Sequence, residues 1–186
     1  MGIAEKNLVL LNTSEEQRRI LKSAPELQTV TVKKIFPHTL LVTATKSIPI
    51  AQLVNQPNFL LLSSNGKIIK STNSSTEGLI PIVYFQHLRA FESKPGTVIT
   101  HIEIQKALEV MHNRSALPFP LKKITINQPG KIVLIFSDTP LTVTFGTKKD
   151  IAKILFILHN IITGLERKGV RPSSVNLEFD KPIITV

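Results

Sequence analysis

Apolar and polar residues alternate with a period of two over much of the chain, and this pattern predicts many short β-strands. The alternation is strong in Leu27–Ile35 and in Leu40–Thr45. The residues Phe36-Pro37-His38-Thr39 separate these segments, and proline presets the backbone for a turn. The two segments are therefore predicted to form a β-hairpin.

A helix is predicted immediately before this hairpin. Thr13 is the predicted N-cap, and Glu16, three residues later, completes a capping box. The helix is expected to run to about Ser23, before Pro25. The apolar segment Asn7–Leu11 is compatible with a strand or with the turn that leads into this helix.

Further strands are predicted after a linker or loop at Gln56-Pro57-Asn58. They are Phe59–Leu62, Ile68-Ile69, Leu79–Tyr84, Leu121–Asn127, Lys131–Phe136 and Leu141–Phe145. Asn65-Gly66 favours a hairpin turn, because both residues accept a positive φ. Pro81 favours a position at a sheet edge or bulge for its strand, because proline cannot donate a ladder hydrogen bond. The last three strands are predicted to form an antiparallel meander.

Two helices are predicted in the same part of the chain, one between these strands and one after them. The first lies within Thr97–Met111, and the second follows Thr147, its predicted N-cap, with Asp150 in the first turn. Gly169 fits the position just after the end of the second helix. One apolar stripe with helical spacing runs along this second helix: Ile151, Ile154, Leu155, Leu158, Ile161, Ile162 and Leu165.

The C-terminal segment is predicted to form two short strands. Leu177 and Phe179 alternate with polar residues, Asp180-Lys181-Pro182 interrupts the pattern, and Ile183–Val186 resumes as a β-branched strand. A sheet that finishes this way can leave unpaired backbone N–H and C=O groups at its edge, where a partner strand can dock. The segment therefore indicates a docking module.

These elements together predict an α+β protein with two domains. Residues 1–54 are predicted to form a small piece with a helix and a β-hairpin. Residues 55–186 are predicted to form a larger antiparallel-sheet domain with packed helices. The length of 186 residues accommodates such a division.

The composition excludes several classes of chemistry. The chain has no cysteine, so it has no disulfide, no thiolate zinc site and no cysteine nucleophile. Its histidines show no metal-ligand spacing, and no nucleophile elbow or phosphate-binding loop occurs. No catalytic residue, metal ligand or cofactor is therefore predicted, and we expect that the protein is not an enzyme. No run of eighteen apolar residues predicts a membrane span.

The net charge of +10 leaves three kinds of partner open: nucleic acid, an anionic membrane surface or an acidic protein. The basic residues are dispersed in pairs, as is also common on solvated faces. Nucleic-acid binding favours aromatic residues for base stacking, but the chain has no tryptophan and one tyrosine. A basic nucleic-acid-binding module is therefore the alternative function, and no nucleic acid is expected as the partner.

Several segments, in their order along the chain, resemble the FtsQ/DivIB family of bacterial cell-division proteins. Val30–Ala51, with Phe36-Pro37, Leu40 and Pro49, resembles the hairpin that ends the POTRA domain of that family. The resemblance lacks the first strand and helix of that domain. The later segments Leu60–Lys67, Leu141–Gly146 and Val175–Pro182, with the long helix, resemble the family's C-terminal β domain. The chain departs from the family at Lys46, Ser63 and Glu178.

The resemblance implies a non-catalytic scaffold of the divisome that helps to regulate septal peptidoglycan synthesis. Family members are single-pass membrane proteins whose bulk lies at the extracytoplasmic face of the membrane, so an anchor upstream of this sequence is expected. Their partners are the small coiled-coil division proteins FtsB/DivIC and FtsL, and the FtsB-like partner adds a strand to the last strand of the β domain.

The positions that match this binding site are Phe179, Asp180, Ile183, Ile184, Thr185 and Val186. The last four residues would supply main-chain hydrogen bonds. Phe179 is compatible with an apolar anchor at the interface or with a plain core residue. Arg171 lies nearby in the sequence and is predicted to pair with a partner carboxylate.

Overall fold

The computed structural model describes residues 10–186, which form two compact units, the first ending at Ile48 and the second spanning Pro49–Val186. The predicted segment Asn7–Leu11 lies mostly outside the described residues. The described helices are α1 (Thr13–Ser23), α2 (Ile102–His112) and α3 (Ile151–Glu166), with a short 3-10 helix at Arg114–Ala116. The described strands are β1 (Leu27–Ile35), β2 (Thr39–Lys46), β3 (Ala51–Asn55), β4 (Asn58–Leu62), β5 (Ile68–Thr72), β6 (Ile80–Tyr84), β7 (Leu121–Gln128), β8 (Lys131–Phe136), β9 (Thr142–Gly146), β10 (Ser174–Asn176) and β11 (Ile183–Thr185). The α+β fold class is confirmed.

In the first unit, β1 and β2 form an antiparallel hairpin, and α1 packs against β1. The predicted N-cap of α1 was wrong by one residue: the Asn12 Oδ1 atom accepts hydrogen bonds from the backbone N–H groups of Ser14 and Glu15, at 3.2 and 3.3 Å. Asparagine is a strong N-cap because its short side chain reaches back to these free N–H groups. Val30 and Val32 of β1 are buried, whereas most of β2 is exposed.

The boundary between the units lies between Ile48 and Pro49, not at residues 54/55. The difference arises because Ala51–Asn55 is a strand, β3, which pairs with β4 and β6 of the second unit. Gln56-Pro57, predicted to be a linker or loop, is the tight turn between β3 and β4, since Asn55 pairs with Asn58.

The large sheet of the second unit is mixed, not antiparallel throughout. Its strand order is β11-β10-β9-β8-β7-β6-β3-β4-β5. The predicted antiparallel meander β7-β8-β9 is confirmed, but β6 runs parallel to both β3 and β7, and β10 runs parallel to β9. Pro81 therefore lies in a central strand, not at an edge. Proline has no N–H to donate, but the ladder between β6 and β7 begins only at Ile82, so no hydrogen bond of that ladder is lost at Pro81.

The buried residues of α2 and α3 join one face of this sheet in a single hydrophobic core. The start of α2 is Ile102, five residues after the earliest predicted position. The N-cap of α3 is Asp150, not Thr147: the Asp150 Oδ1 atom accepts from the Lys153 N–H at 2.9 Å. Most of the predicted apolar stripe of α3 is buried, which fixes α3 on the sheet.

Candidate partner-binding site

The predicted last strand, β11, is at one end of the large sheet. It pairs antiparallel with β10 through Val175 and Ile184, and within residues 10–186 its other side has no strand partner. Ile183 is 54% exposed and Val186 is 75% exposed. The structure therefore has an open sheet edge at the predicted docking residues.

A row of buried side chains crosses the sheet and ends at Ile184. Cross-strand partners share a face of the sheet, so the row can be followed strand by strand. Its members are Val175, Val143, Leu134, Ile124, Ile82, Leu53 and Leu60, all 0–1% exposed. Ile184 continues this row on β11 but is 39% exposed. The helix-facing side of the core is thus incomplete at the open edge.

The backbone of β11 shows which groups face outward. The Thr185 carbonyl oxygen accepts from the Ser173 N–H at 2.8 Å and from the Ser173 Oγ at 3.2 Å, so this carbonyl points inward. Backbone groups of successive residues in a strand point to opposite sides. The N–H and C=O of Ile184 therefore point toward the open edge, where they are available to an added strand.

The opposite edge of the sheet, β5, is protected. The backbone of Ile68 donates to Thr97 O at 2.9 Å and accepts from Gly96 N at 2.7 Å, and Lys67 forms a bridge with Val98. Further along β5, Lys70 places an exposed charge on the strand, which disfavours pairing with another chain. Among residues 10–186, nothing gives Ile183–Thr185 either protection, so the two edges differ in their capacity to take a strand.

The turn between β10 and β11 places Phe179 and Asp180 at the start of the open edge. The side chain of Glu178 is 3.1 Å from Lys131 Nζ, and that of Asp180 is 3.3 Å from Lys149 Nζ. Phe179 is 58% exposed, so the interpretation of Phe179 as a plain core residue was wrong. It lines a cleft of about 110 Å³ with Ile157.

Arg171 lies at the other end of β10 from Phe179. It is exposed and lines a cavity of about 550 Å³ with Ile162 and Glu166. Arg171 precedes Ser173, which bonds to Thr185, so it is close to the C-terminal end of β11. The structure thus places Phe179 and Asp180 at one end of the open strand and Arg171 at the other.

Sequence reasoning missed Lys153 of α3, which lies beside this edge, and did not single out Phe156 of the same helix. Phe156 is 67% exposed and lies outside the buried stripe of the helix. Lys153 lines the same cleft as Phe179. A signal for Phe156 was present in the sequence, because an aromatic residue stands on the face of α3 that the stripe leaves to solvent.

Among residues 10–186, no group of three His, Asp or Glu side chains is placed to hold a metal ion. Within the same range, no helix has the length and apolar character needed to cross a membrane.

Comparison with protein-family models gives no match, and comparison with curated proteins finds no significant relative. The resemblance to the FtsQ/DivIB family therefore stays a prediction.

Proposed function

We propose that this protein is a non-catalytic scaffold of the bacterial divisome, which binds small coiled-coil division proteins of the FtsB/DivIC and FtsL types by strand addition at β11. The observation that carries the proposal is the open edge of Ile183–Thr185, which ends a nine-stranded sheet. The proposal places the protein at the extracytoplasmic face of the cell membrane, where it helps to regulate septal peptidoglycan synthesis.

Strand addition at this edge has two sources of affinity. The outward N–H and C=O of Ile184 form main-chain hydrogen bonds with the partner. The partner strand also covers the exposed part of the Ile184 side chain and extends the buried row. Complete burial of an isoleucine contributes about 1.5–3 kcal/mol, so covering the exposed fraction contributes about 1 kcal/mol. Main-chain pairing therefore supplies affinity for an extended segment, and the side chains beside the edge set the specificity.

The two charged positions of the predicted site have different roles in the proposal. Asp180 is fully exposed and forms an ion pair with Lys149. In the proposal this pair orients the turn at the start of β11. Arg171 carries an exposed guanidinium beside the end of β11, where it is available to a partner carboxylate. Charges on the rim of an interface mainly affect the association rate and its salt dependence.

The variant Ile184→Pro tests strand addition directly. It removes the outward N–H while the inward groups of Thr185 remain, so the protein's own pairing with β10 is preserved. We expect more than a tenfold loss of affinity for the FtsB/DivIC-type protein of the same organism, measured by isothermal titration calorimetry. The circular dichroism spectrum should stay unchanged.

Ile184→Val is the matched control, because it retains the N–H and most of the apolar side chain. We expect this variant to bind within about twofold of the wild type, since one methylene contributes little at a half-exposed position. If Ile184→Pro binds the partner as tightly as Ile184→Val does, the proposal of strand addition is wrong.

A further inference from the structure

The carboxyl ends of three parallel strands lie at one edge of the large sheet. β3, β6 and β7 run in the same direction and end at Asn55, Tyr84 and Gln128. Where strands are parallel, ligands bind outside their carboxyl ends, at the point where neighbouring connections lie on opposite faces of the sheet. The connections before and after β6 therefore determine whether such a point exists in this sheet.

The chain enters β6 across one face of the sheet and leaves it across the other. The segment 73–79, which leads into β6, is held by the side chain of Gln52. The Gln52 Nε2 atom donates to Leu79 O at 2.7 Å, and the Gln52 Oε1 atom accepts from the Thr76 N–H at 2.9 Å. Gln52 points away from the face of its neighbour Leu53, which belongs to the hydrophobic core together with α2. Because α2 follows β6, the carboxyl end of β6 is a switch point between the two faces.

A cavity of about 270 Å³ lies at this point, and we name it the β6–α2 cavity. Tyr84, at the end of β6, and His101, at the N-cap of α2, line it with their ring centroids 5.6 Å apart. The connection between them is fixed to the end of β3, since the Leu88 N–H donates to Asn55 Oδ1 at 3.0 Å. This connection contributes four more polar residues to the lining: Gln86, His87, Arg89 and Glu92.

The carboxylate in this lining, that of Glu92, is used by the protein itself. Its Oε2 atom accepts from the backbone N–H of Arg89 at 3.0 Å, and its Oε1 atom is 3.5 Å from His101 Nε2. A second carboxylate near the cavity, that of Glu103, accepts from the Gly130 N–H at 3.1 Å. Both acidic side chains therefore have internal partners.

The other polar side chains of the cavity can all donate hydrogen bonds. Within residues 10–186, no hydrogen bond or ion pair occupies the Tyr84 hydroxyl, the Gln86 amide, the His87 imidazole or the Arg89 guanidinium. Burial raises the pKa of Tyr84, and the charges of Glu103 and Glu92 raise it further, so this hydroxyl keeps its proton. The cavity therefore presents donors from the end of β6 and from the connection that follows it.

We infer that the β6–α2 cavity binds the phosphate group of a small ligand. A guanidinium pairs well with phosphate, whose tetrahedral oxygens accept hydrogen bonds from several directions at once. A volume of about 270 Å³ is small for a ligand site, which suits a phosphate with a short attached group. The inference does not depend on strand addition at β11.

Titration of isotope-labelled protein with inorganic phosphate at neutral pH tests the inference. We expect saturable shifts of the backbone resonances of residues 84–92 and of His101, with millimolar affinity or tighter. Shifts that do not saturate, or that are no larger in this connection than elsewhere in the chain, would overturn the inference.

Two variants identify the groups that hold the phosphate. Arg89→Gln removes the guanidinium and His87→Gln removes an imidazole, and both positions are exposed, so the fold should be retained. We expect Arg89→Gln to weaken phosphate binding about tenfold or more and His87→Gln about threefold, because a charge-assisted hydrogen bond contributes more than a neutral one.

Matched controls separate a local contact from net charge. Arg114→Gln and His159→Gln make the same changes at exposed positions after α2 and on α3, and both should keep wild-type phosphate affinity. If Arg114→Gln weakens binding as much as Arg89→Gln does, the phosphate responds to net charge and the inference is wrong.

Two further probes distinguish the sources of the phosphate group: glycerol 3-phosphate and vesicles that contain phosphatidic acid. Tighter binding of the first assigns a free phosphate monoester, and tighter binding of the second assigns a lipid headgroup, provided that Arg89→Gln weakens either one. If inorganic phosphate and both of these probes fail to bind, the inference is overturned. Ile184→Pro should keep wild-type phosphate affinity because β11 is five strands away from β6, so failure of this site and failure of strand addition appear in different variants.

Discussion

Val175 and Ile184 face each other across β10 and β11, yet Val175 is 1% exposed and Ile184 is 39% exposed. The two side chains lie on the same face of the sheet, so their different exposure comes from position alone. In the part of the chain that the structure describes, Val175 has a strand on each side, whereas Ile184 has a strand on one side. The core of the second unit therefore ends between these two residues.

Truncation of these two side chains should have unequal effects on stability. Val175→Ala removes buried methyl groups and leaves a cavity, so we expect the free energy of unfolding to fall by about 2 kcal/mol. Ile184→Ala should lower it by less than about 1 kcal/mol, because the side chain already contacts water. Chemical denaturation of each variant measures both values. Equal losses would show that Ile184 is as enclosed as Val175 in solution.

Local sequence patterns predicted the elements that bury one face and expose the other. The alternation in Leu27–Ile35 and the apolar stripe of α3 each reflect one buried face, so the period alone identifies a strand or a helix. The strand Ala51–Asn55 was missed because both faces are partly buried and the pattern does not alternate. Proline in the following turn then favoured the interpretation as a linker.

Sheet topology could not be predicted in the same way. Parallel pairing of β6 with β3 and β7 joins segments that are far apart in sequence, and no local period encodes the partner of a strand. The candidate site depends on this topology. Ile183–Thr185 was predicted as a strand from its residues, but its place at the sheet edge follows from the order of all the strands.

The sequence predicted the strand Ile183–Thr185 of the candidate site but not the conformation of the residues around it. Phe179 belongs to an alternating segment in the sequence, but the chain turns after Leu177 and the ring is exposed. The Glu178 N–H donates to Asn176 Oδ1 at 2.9 Å, a local turn that ends the strand pattern early. Lys153 was not predicted because its place in the cleft with Phe179 comes from the packing of α3 beside this turn.

The N-terminus of α1 provides a second stability test, in the first unit. Asn12→Ala removes the side-chain oxygen that accepts from Ser14 N–H and Glu15 N–H, so we expect the free energy of unfolding to fall by about 1 kcal/mol. Thr13→Ala is the matched control, since Thr13 is already inside the helix. Thermal unfolding monitored by circular dichroism measures both. A larger fall in the free energy of unfolding for Thr13→Ala than for Asn12→Ala would show that Thr13 is the N-cap.

The only tyrosine of the chain, Tyr84, gives a direct electrostatic test of the second unit. Burial raises the pKa of Tyr84 above the ordinary value of 10.0, and the negative charges of Glu103 and Glu92 raise this pKa further. Each cause favours the neutral phenol in the folded state. Since the chain has no tryptophan, the near-ultraviolet absorbance of phenolate follows this single group in an alkaline titration.

The raised pKa of Tyr84 determines how the stability of the protein changes with pH. Because its pKa is higher in the folded state than in the unfolded state, the neutral phenol contributes stability that is fully present below the unfolded pKa. That contribution is lost as the pH rises through the folded pKa, above 10.0. We expect Glu103→Gln and Glu92→Gln each to lower the pKa of Tyr84, since each removes a nearby negative charge. A titration midpoint at or below 10.0 in the wild type would contradict this environment for Tyr84.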